Sequence, residues 1–330
     1  MDNIYVSIYT FGYSANFIND NRRQNNFNII TPKHLIDICN NYSLGGIELP
    51  IDKYYPEFNS KQIVSLLNLF YKNNLGVKID FENFSKIYIK DLIPILCDYG
   101  IDFIRTKVSN FYGCNRYKHP EFHTHYNHFI RFLKDIFPTL EKYRFKILLE
   151  NHQDIIIDDY FKIWEDYSSD LIGINWDIGN SLPALESPND FLKKMYSYIG
   201  NIHLKDYKIY RSKNGYRLAR CPLGKGIVDF NHIFSFLKIN ELEIPMTIEL
   251  GAMNSRYSDI YKDTFWEALP EVNDARKRKF IKYIESNYNF YDKGKSSWEN
   301  KNTPDEIFSS EMNDLNESVK FLKNISINKA

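Results

Sequence analysis

Short, nearly continuous apolar runs rich in β-branched and aromatic residues recur along the chain: IYVSIYTF (4–11), GGIELP (45–50), GVKIDF (76–81) and IDFIRTKVS (101–109). Four more follow, FKILLEN (145–151), LIGINWDIGN (171–180), IGNIHLKD (199–206) and IPMTIELG (244–251). Between them stand helix-length stretches with apolar residues at every third or fourth position, such as TPKHLIDICNNY, SKQIVSLLNLFYKN, YIKDLIPILCDY and SPNDFLKKMYSYI. Two of these open on Ser or Thr followed by Pro, which suits a helix N-cap and first turn. Strands apolar on both faces that alternate with helices imply a parallel sheet covered by helices. Eight such units predict an α/β fold, the (β/α)8 TIM barrel, over residues 1–251.

Beyond Gly251 the pattern changes. A polar, aromatic stretch, NSRYSDIYKDTFWEALPEV, precedes a helical pattern, VNDARKRKFIKYIESNYNF. A loop, YDKGKSSWENKN, and a last helix opened by Thr303-Pro304 follow. With no low-complexity linker dividing the chain, residues 252–330 read as a C-terminal helical extension packed on the barrel and not as an independent domain.

Composition narrows the function classes. The 330 residues are 43% hydrophobic, enough for a sizeable core, and 42 basic residues balance 42 acidic ones. Balanced charge gives no bulk attraction for nucleic acid. Four cysteines without paired spacing read as reduced thiols. MDNIYVSIYTFGYS lacks the basic and apolar regions of a signal peptide, and no run of about 18 apolar residues predicts a membrane span. A cytoplasmic protein without membrane partners is expected.

In a TIM barrel the active site lies at the C-terminal ends of the strands. The fifth run ends in Glu150, the sixth in Asp177, the seventh in His203 and the eighth in Glu249, at separations of 27, 26 and 46 residues. The long last interval implies an inserted loop. Three carboxylates and an imidazole brought together would repel one another and lose hydration, a penalty that a divalent cation offsets. Oxygen ligands with one nitrogen and no thiolate favour Mn²⁺ or Mg²⁺, with Co²⁺ and Zn²⁺ as alternatives. Taken singly, the same residues also suit helix caps or salt bridges to Lys78, Arg105 or Lys205.

The segments LLENH, NWDIGN, HLKDY, PLGKGIVDF and TIELG resemble those of the xylose isomerase-like TIM barrels, in particular the sugar phosphate isomerase/epimerase group. The resemblance spans about residues 1–251. It implies that Glu150, Asp177, His203 and Glu249 bind one divalent metal. It also implies that Glu150 and Glu249 act as an acid/base pair on opposite faces of a sugar or keto-polyol substrate. Proton removal beside a carbonyl needs a base within reach and an electrophile for the enediolate oxygen. Glu48, Arg105 and Lys107 at strand ends two and four, with His152 and Lys205 beside the ligands, are candidate contacts to substrate hydroxyls or a phosphate. The expectation is a metal-dependent sugar (phosphate) isomerase or epimerase of carbohydrate metabolism. A metal-dependent dehydratase or lyase on a keto-polyol, and an inactive sugar-binding barrel, are its rivals.

Departures from the family sharpen this. The AP endonuclease branch has histidines where Asn180 and Asn231 stand, so a DNA-repair role is disfavoured. The epimerases' arginine six residues after the strand-seven His is Ile209, leaving Arg217 or Arg220 as substitutes. HPEFHTHYNHF groups His119, His123, His125 and His128, and 119 with 123 would share a helix face. Without clustered carboxylates this reads as a solvated helix in preference to a second metal site. DARKRKF, flanked by Glu271, Asp274 and Glu285, reads as a solvated face. The aromatics of YSDIYKDTFW suit a lid, a homo-oligomer contact or plain packing.

Overall fold

The computed structural model describes residues 3–18, 20–23, 29–82, 88–251, 253–291 and 294–327. The expected barrel's residues 1–2, the expected extension's 252 and 328–330, and Asp292 and Lys293 of the expected loop lie outside them.

The strands are β1 (Ile4–Ser7), β2 (Gly46–Pro50), β3 (Gly76–Asp80), β4 (Phe103–Thr106), β5 (Lys146–Glu150), β6 (Ile172–Asp177), β7 (Ile199–Leu204), β8 (Asp206–Ser212), β9 (Gly215–Cys221), β10 (Met246–Ile248) and β11 (Arg256–Ser258). The helices are α1 (His34–Tyr42), α2 (Ile51–Tyr54), α3 (Ser60–Tyr71), α4 (Ile89–Asp98), α5 (Phe122–Tyr143), α6 (Ile157–Trp164), α7 (Pro188–Met195), α8 (Phe230–Ile239), α9 (Asp263–Glu267), α10 (Asp274–Ser286) and α11 (Pro304–Ile327). Eight parallel strands close a barrel in the order β1-β10-β7-β6-β5-β4-β3-β2, as the alternating pattern predicts. The expected inserted loop is instead a β-hairpin, β8–β9, which pairs with β11 in a separate antiparallel sheet. Its signal was present in Asn214-Gly215 between two alternating segments, a turn dipeptide suited to hairpins.

Local chemistry sets the helix starts. Ser187 caps α7 by accepting from the Asp190 N–H, with Pro188 in the first turn. Thr31-Pro32 instead forms a turn before α1, where the Thr31 N–H donates to His34 Nδ1 at 3.0 Å. The barrel interior carries a polar layer beneath its mouth. Lys78 Nζ donates to Asn201 Oδ1 at 2.7 Å and Thr247 Oγ1 at 2.9 Å, and sits 4.0 Å from the centroid of the Tyr5 ring. Tyr5 fills space that only glycine leaves open, since a Cβ on Gly76 would lie 2.3 Å from its hydroxyl.

The extension is tied down by ionic and apolar contacts. Glu311 of α11, fully buried, accepts from the Tyr13 and Ser14 N–H groups at 2.8 and 3.1 Å and from Ser14 Oγ at 2.5 Å. Phe265, Trp266, Phe280 and Ile284 pack with Tyr216 and Leu218 of the hairpin in a second apolar cluster, so Phe265 and Trp266 are packing residues. The four cysteines are free. Among the described residues no helix is long and apolar enough to cross a membrane.

Candidate metal centre

Parallel register brings the four strand-end residues together. Asp177 stands opposite His203 across β6 and β7, Thr247 pairs with His203 across β10, and Glu150 closes β5 beside β6. Glu150, Asp177, His203 and Glu249 are all buried, and one ligand atom from each lies within 4.8 Å of the others. His203 Nδ1 is 2.7 Å from Glu249 Oε2, and its Nε2 is 2.9 Å from Glu48 Oε1. Neither contact is aligned as a hydrogen bond, so both ring nitrogens and both carboxylate oxygens are buried without a hydrogen-bond partner. Orphaned donors and acceptors of this kind are costly. A divalent cation among three carboxylates and an imidazole would take up one ring nitrogen and the Glu249 oxygen, leaving the other nitrogen facing Glu48, and this donor set fits one.

Two cations face the cluster. Arg105 donates to Glu150, and Lys205 donates to Asp177 and, at 2.7 Å, to Glu249 Oε1. Burial pulls the His203 imidazole toward neutrality, but Glu48 and Glu249 outweigh it and hold its pKa up at about 9. Burial raises Glu249, yet Lys205, His203 and Arg105 together keep it well below the usual carboxylate range. Glu249 is thereby held ionised. Burial and the nearby Glu48 push Asp80 well above that range.

Asparagines fix the carboxylates. Asn180 Nδ2 bridges Glu150 Oε1 at 3.1 Å and Asp177 Oδ2 at 2.9 Å, and its N–H donates to Asp177 Oδ1 at 3.0 Å. Asn151 pairs its side-chain amide with the backbone of Asp177 at 2.8 and 2.9 Å. Both were visible in NWDIGN and LLENH, but an amide signals a positioning role only once its partners are known. Asp206 answers to the backbone: it accepts from the N–H groups of Tyr207, Gly224, Gly226 and Val228 at 2.8–3.1 Å, anchoring PLGKGIVDF to the end of β7.

A cavity of about 420 Å³ opens above the cluster. Arg105, Lys107, His152, Lys205 and Glu249 line it, as expected at the strand ends. Glu48 does not; it lies fully buried behind His203, with Thr247 Oγ1 donating to its Oε2 at 3.1 Å. Glu82, two residues past β3, also lines the cavity and gathers Lys53 at 3.0 Å, Lys107 at 2.8 Å and Arg105 at 3.4 Å. The strand-end rule applied to the third run would have found it. Burial, with Lys107, Arg105 and Lys205, holds His152 well below the usual histidine range.

Arg217 and Arg220 are corrected. Arg217 donates to Ser255 Oγ and the Gly294 carbonyl, Arg220 to the Gly251 carbonyl, and neither lines the cavity. Besides Arg105, the arginine that does is Arg256 of β11. His119 precedes α5, stacked 4.1 Å from Phe111, so it shares no helix face with His123. Among the described residues that histidine group forms no metal cluster.

A model of the xylose isomerase-like TIM barrel matches residues 53–276. The chain belongs to this family. The xylose isomerase-like chain is 28% identical over 119 residues to the 3-oxo-isoapionate decarboxylase of Pectobacterium atrosepticum. That match covers 36% of this chain and 43% of the relative, less than half its length. Among solved structures, D-psicose 3-epimerase from Clostridium cellulolyticum H10 matches 86% of this chain and 96% of its own, at 11% identity and a TM-score of 0.52. The probable 3-DHS dehydratase from Bacillus anthracis matches 87% and 99%, at 15% identity and a TM-score of 0.50. At these identities the structural likeness is one of fold.

Proposed function

We propose that this barrel is a divalent-metal-dependent isomerase or epimerase that moves a proton next to the carbonyl of a keto-sugar or keto-polyol. The observation that carries the reading is the buried set of three carboxylates and an imidazole, of which Glu249 lines a cavity together with lysines and arginines. Glu150, Asp177, His203 and Glu249 would hold the ion. When bound, a divalent ion supplies positive charge to the oxygen that becomes negative as the adjacent C–H bond ionises.

The chain's own residues do the rest. Glu249, held ionised, accepts the proton from carbon, and Glu150, projecting from β5 with β6 and β7 between the two, delivers a proton from its own side. Return to the opposite face inverts the carbon; return to the neighbouring carbon isomerises the sugar. Arg105 and Lys205, which donate to Glu150 and Glu249 and line the cavity, would meet substrate oxygens there.

Likeness to a decarboxylase favours a second reading, a lyase in which a carboxylate beside the carbonyl departs as carbon dioxide, leaves its bonding electrons as the same enediolate, and is replaced by a proton. Product mass separates the two. The test is solvent deuterium incorporation with a panel of ketoses and keto-polyols: wild type labels the carbon beside the carbonyl at unchanged mass otherwise. Glu150→Gln and Glu249→Gln each lose at least about a hundredfold in turnover. Normal turnover in either variant contradicts the assigned roles.

A further inference from the structure

The cations of the cavity fall into two levels. At the floor, Arg105 and Lys205 face Glu150, Asp177 and Glu249. At the rim, Lys53 and Lys107 share one carboxylate, Glu82, at 3.0 and 2.8 Å. Arg256 joins them there with no carboxylate within salt-bridge distance among the described residues. Its guanidinium carbon lies 3.5 Å from the centroid of the Tyr112 ring, and its Nε is buried without a hydrogen-bond partner. Three rim cations thus meet one rim carboxylate.

A guanidinium held flat on an aromatic ring keeps its N–H edge free for a planar or tetrahedral oxyanion. The buried Arg256 Nε lacks a partner, a cost that an oxyanion would offset, whereas Arg116 meets Asp159 and Arg105 meets Glu150. We propose that the substrate carries an anionic group, a carboxylate or a phosphate, and that Arg256 is the residue that recognises it. The inference deepens the proton-transfer reading and rests on it for the identity of the remainder of the substrate. It also gives the segment beyond the barrel a part in the site. β11 pairs with β9, and Asn115 Nδ2 donates to the Tyr257 carbonyl at 2.7 Å, which holds Arg256 over Tyr112.

The test reads binding without turnover. Calorimetric titrations of the Mn²⁺-loaded full chain use inorganic phosphate, D-gluconate and neutral D-fructose, for wild type, Arg256→Gln and Arg256→Lys. At least one anion binds wild type ten times more tightly than D-fructose, loses at least tenfold in Arg256→Gln, and recovers part of the loss in Arg256→Lys. Tight D-gluconate with weak phosphate assigns a carboxylate, and the reverse assigns a phosphate. Equal anion affinity in wild type and Arg256→Gln, or D-fructose bound as tightly as both anions, overturns the proposal. Anion binding that depends on Arg256, found together with no deuterium exchange on any ketose, sustains this inference while the proton-transfer reading fails.

Discussion

Glu48→Gln removes a charge and no volume from behind His203, and its effect can be worked from the geometry. Glu48 Oε1 sits 2.9 Å from His203 Nε2, with both side chains fully buried. If Nδ1 faces the ion, Glu48 is the carboxylate that orients and strengthens the imidazole ligand. Loss of such a partner costs about 10–100-fold in metal affinity, or about 1.4–2.7 kcal/mol. A second effect opposes it. The wild-type imidazole, with a pKa of about 9, must release a proton to bind metal at pH 7, so affinity climbs about tenfold per pH unit between 7 and 9 and then levels. With Glu48 neutralised, only Glu249 of the two carboxylates still holds the proton, and the imidazole sheds it at lower pH. Competition titrations with a chelating indicator and Mn²⁺, oxygen excluded, at pH 6.5 to 9 therefore show a steep wild-type profile. The Glu48→Gln profile is flatter and lies about 10–100-fold lower at its alkaline end. A variant with the wild-type slope and plateau refutes the role given to Glu48.

Two further outcomes concern the scaffold. Burial holds Lys78 down at about 7, so between pH 7 and about 10 the unfolded chain binds the extra proton and stability rises with pH by about 1.4 kcal/mol per unit at most. His203, held up at about 9, contributes the opposite slope below that pH, so urea unfolding of chelator-treated protein at pH 6, 8 and 10 shows the Lys78 contribution as the difference between wild type and Lys78→Met; parallel profiles contradict it. Gly226→Ala places a Cβ 2.2 Å from Asp206 Oδ1 and 2.4 Å from the Tyr207 carbonyl. It lowers stability by about 1–3 kcal/mol, measured by urea unfolding at constant pH; an unchanged midpoint means the loop yields freely.

The barrel and its four converging residues were legible because parallel strands are buried on both faces. A charged residue ending such a run, like Asp177 after INW or His203 after NI, stands out against it. Glu48 was legible as a strand end, but its position behind the imidazole depends on the stagger of β2 against β7 across the barrel, which no local pattern carries. Glu82 was legible by the same rule, directly after the third apolar run, although β3 itself ends at Asp80. Arg256 was hidden. Its place over Tyr112 arises from non-local pairing of β11 with β9, and the short segment RYS lacks the apolar density that marks a strand. The hairpin itself was misread as a loop because its strands lack the nearly continuous apolar runs that mark a parallel sheet, although Asn214-Gly215 stands between alternating segments.

Metal dependence of carbon–hydrogen exchange tests the central claim most directly. Protein purified without chelator, assayed for bound metal, then stripped and reloaded with Mn²⁺, is incubated with the ketose panel in deuterium oxide. About one divalent ion per chain is expected, with deuterium appearing beside the carbonyl in the native and reloaded protein, vanishing in the stripped protein and in His203→Ala. Undiminished exchange in protein stripped of metal would contradict the account.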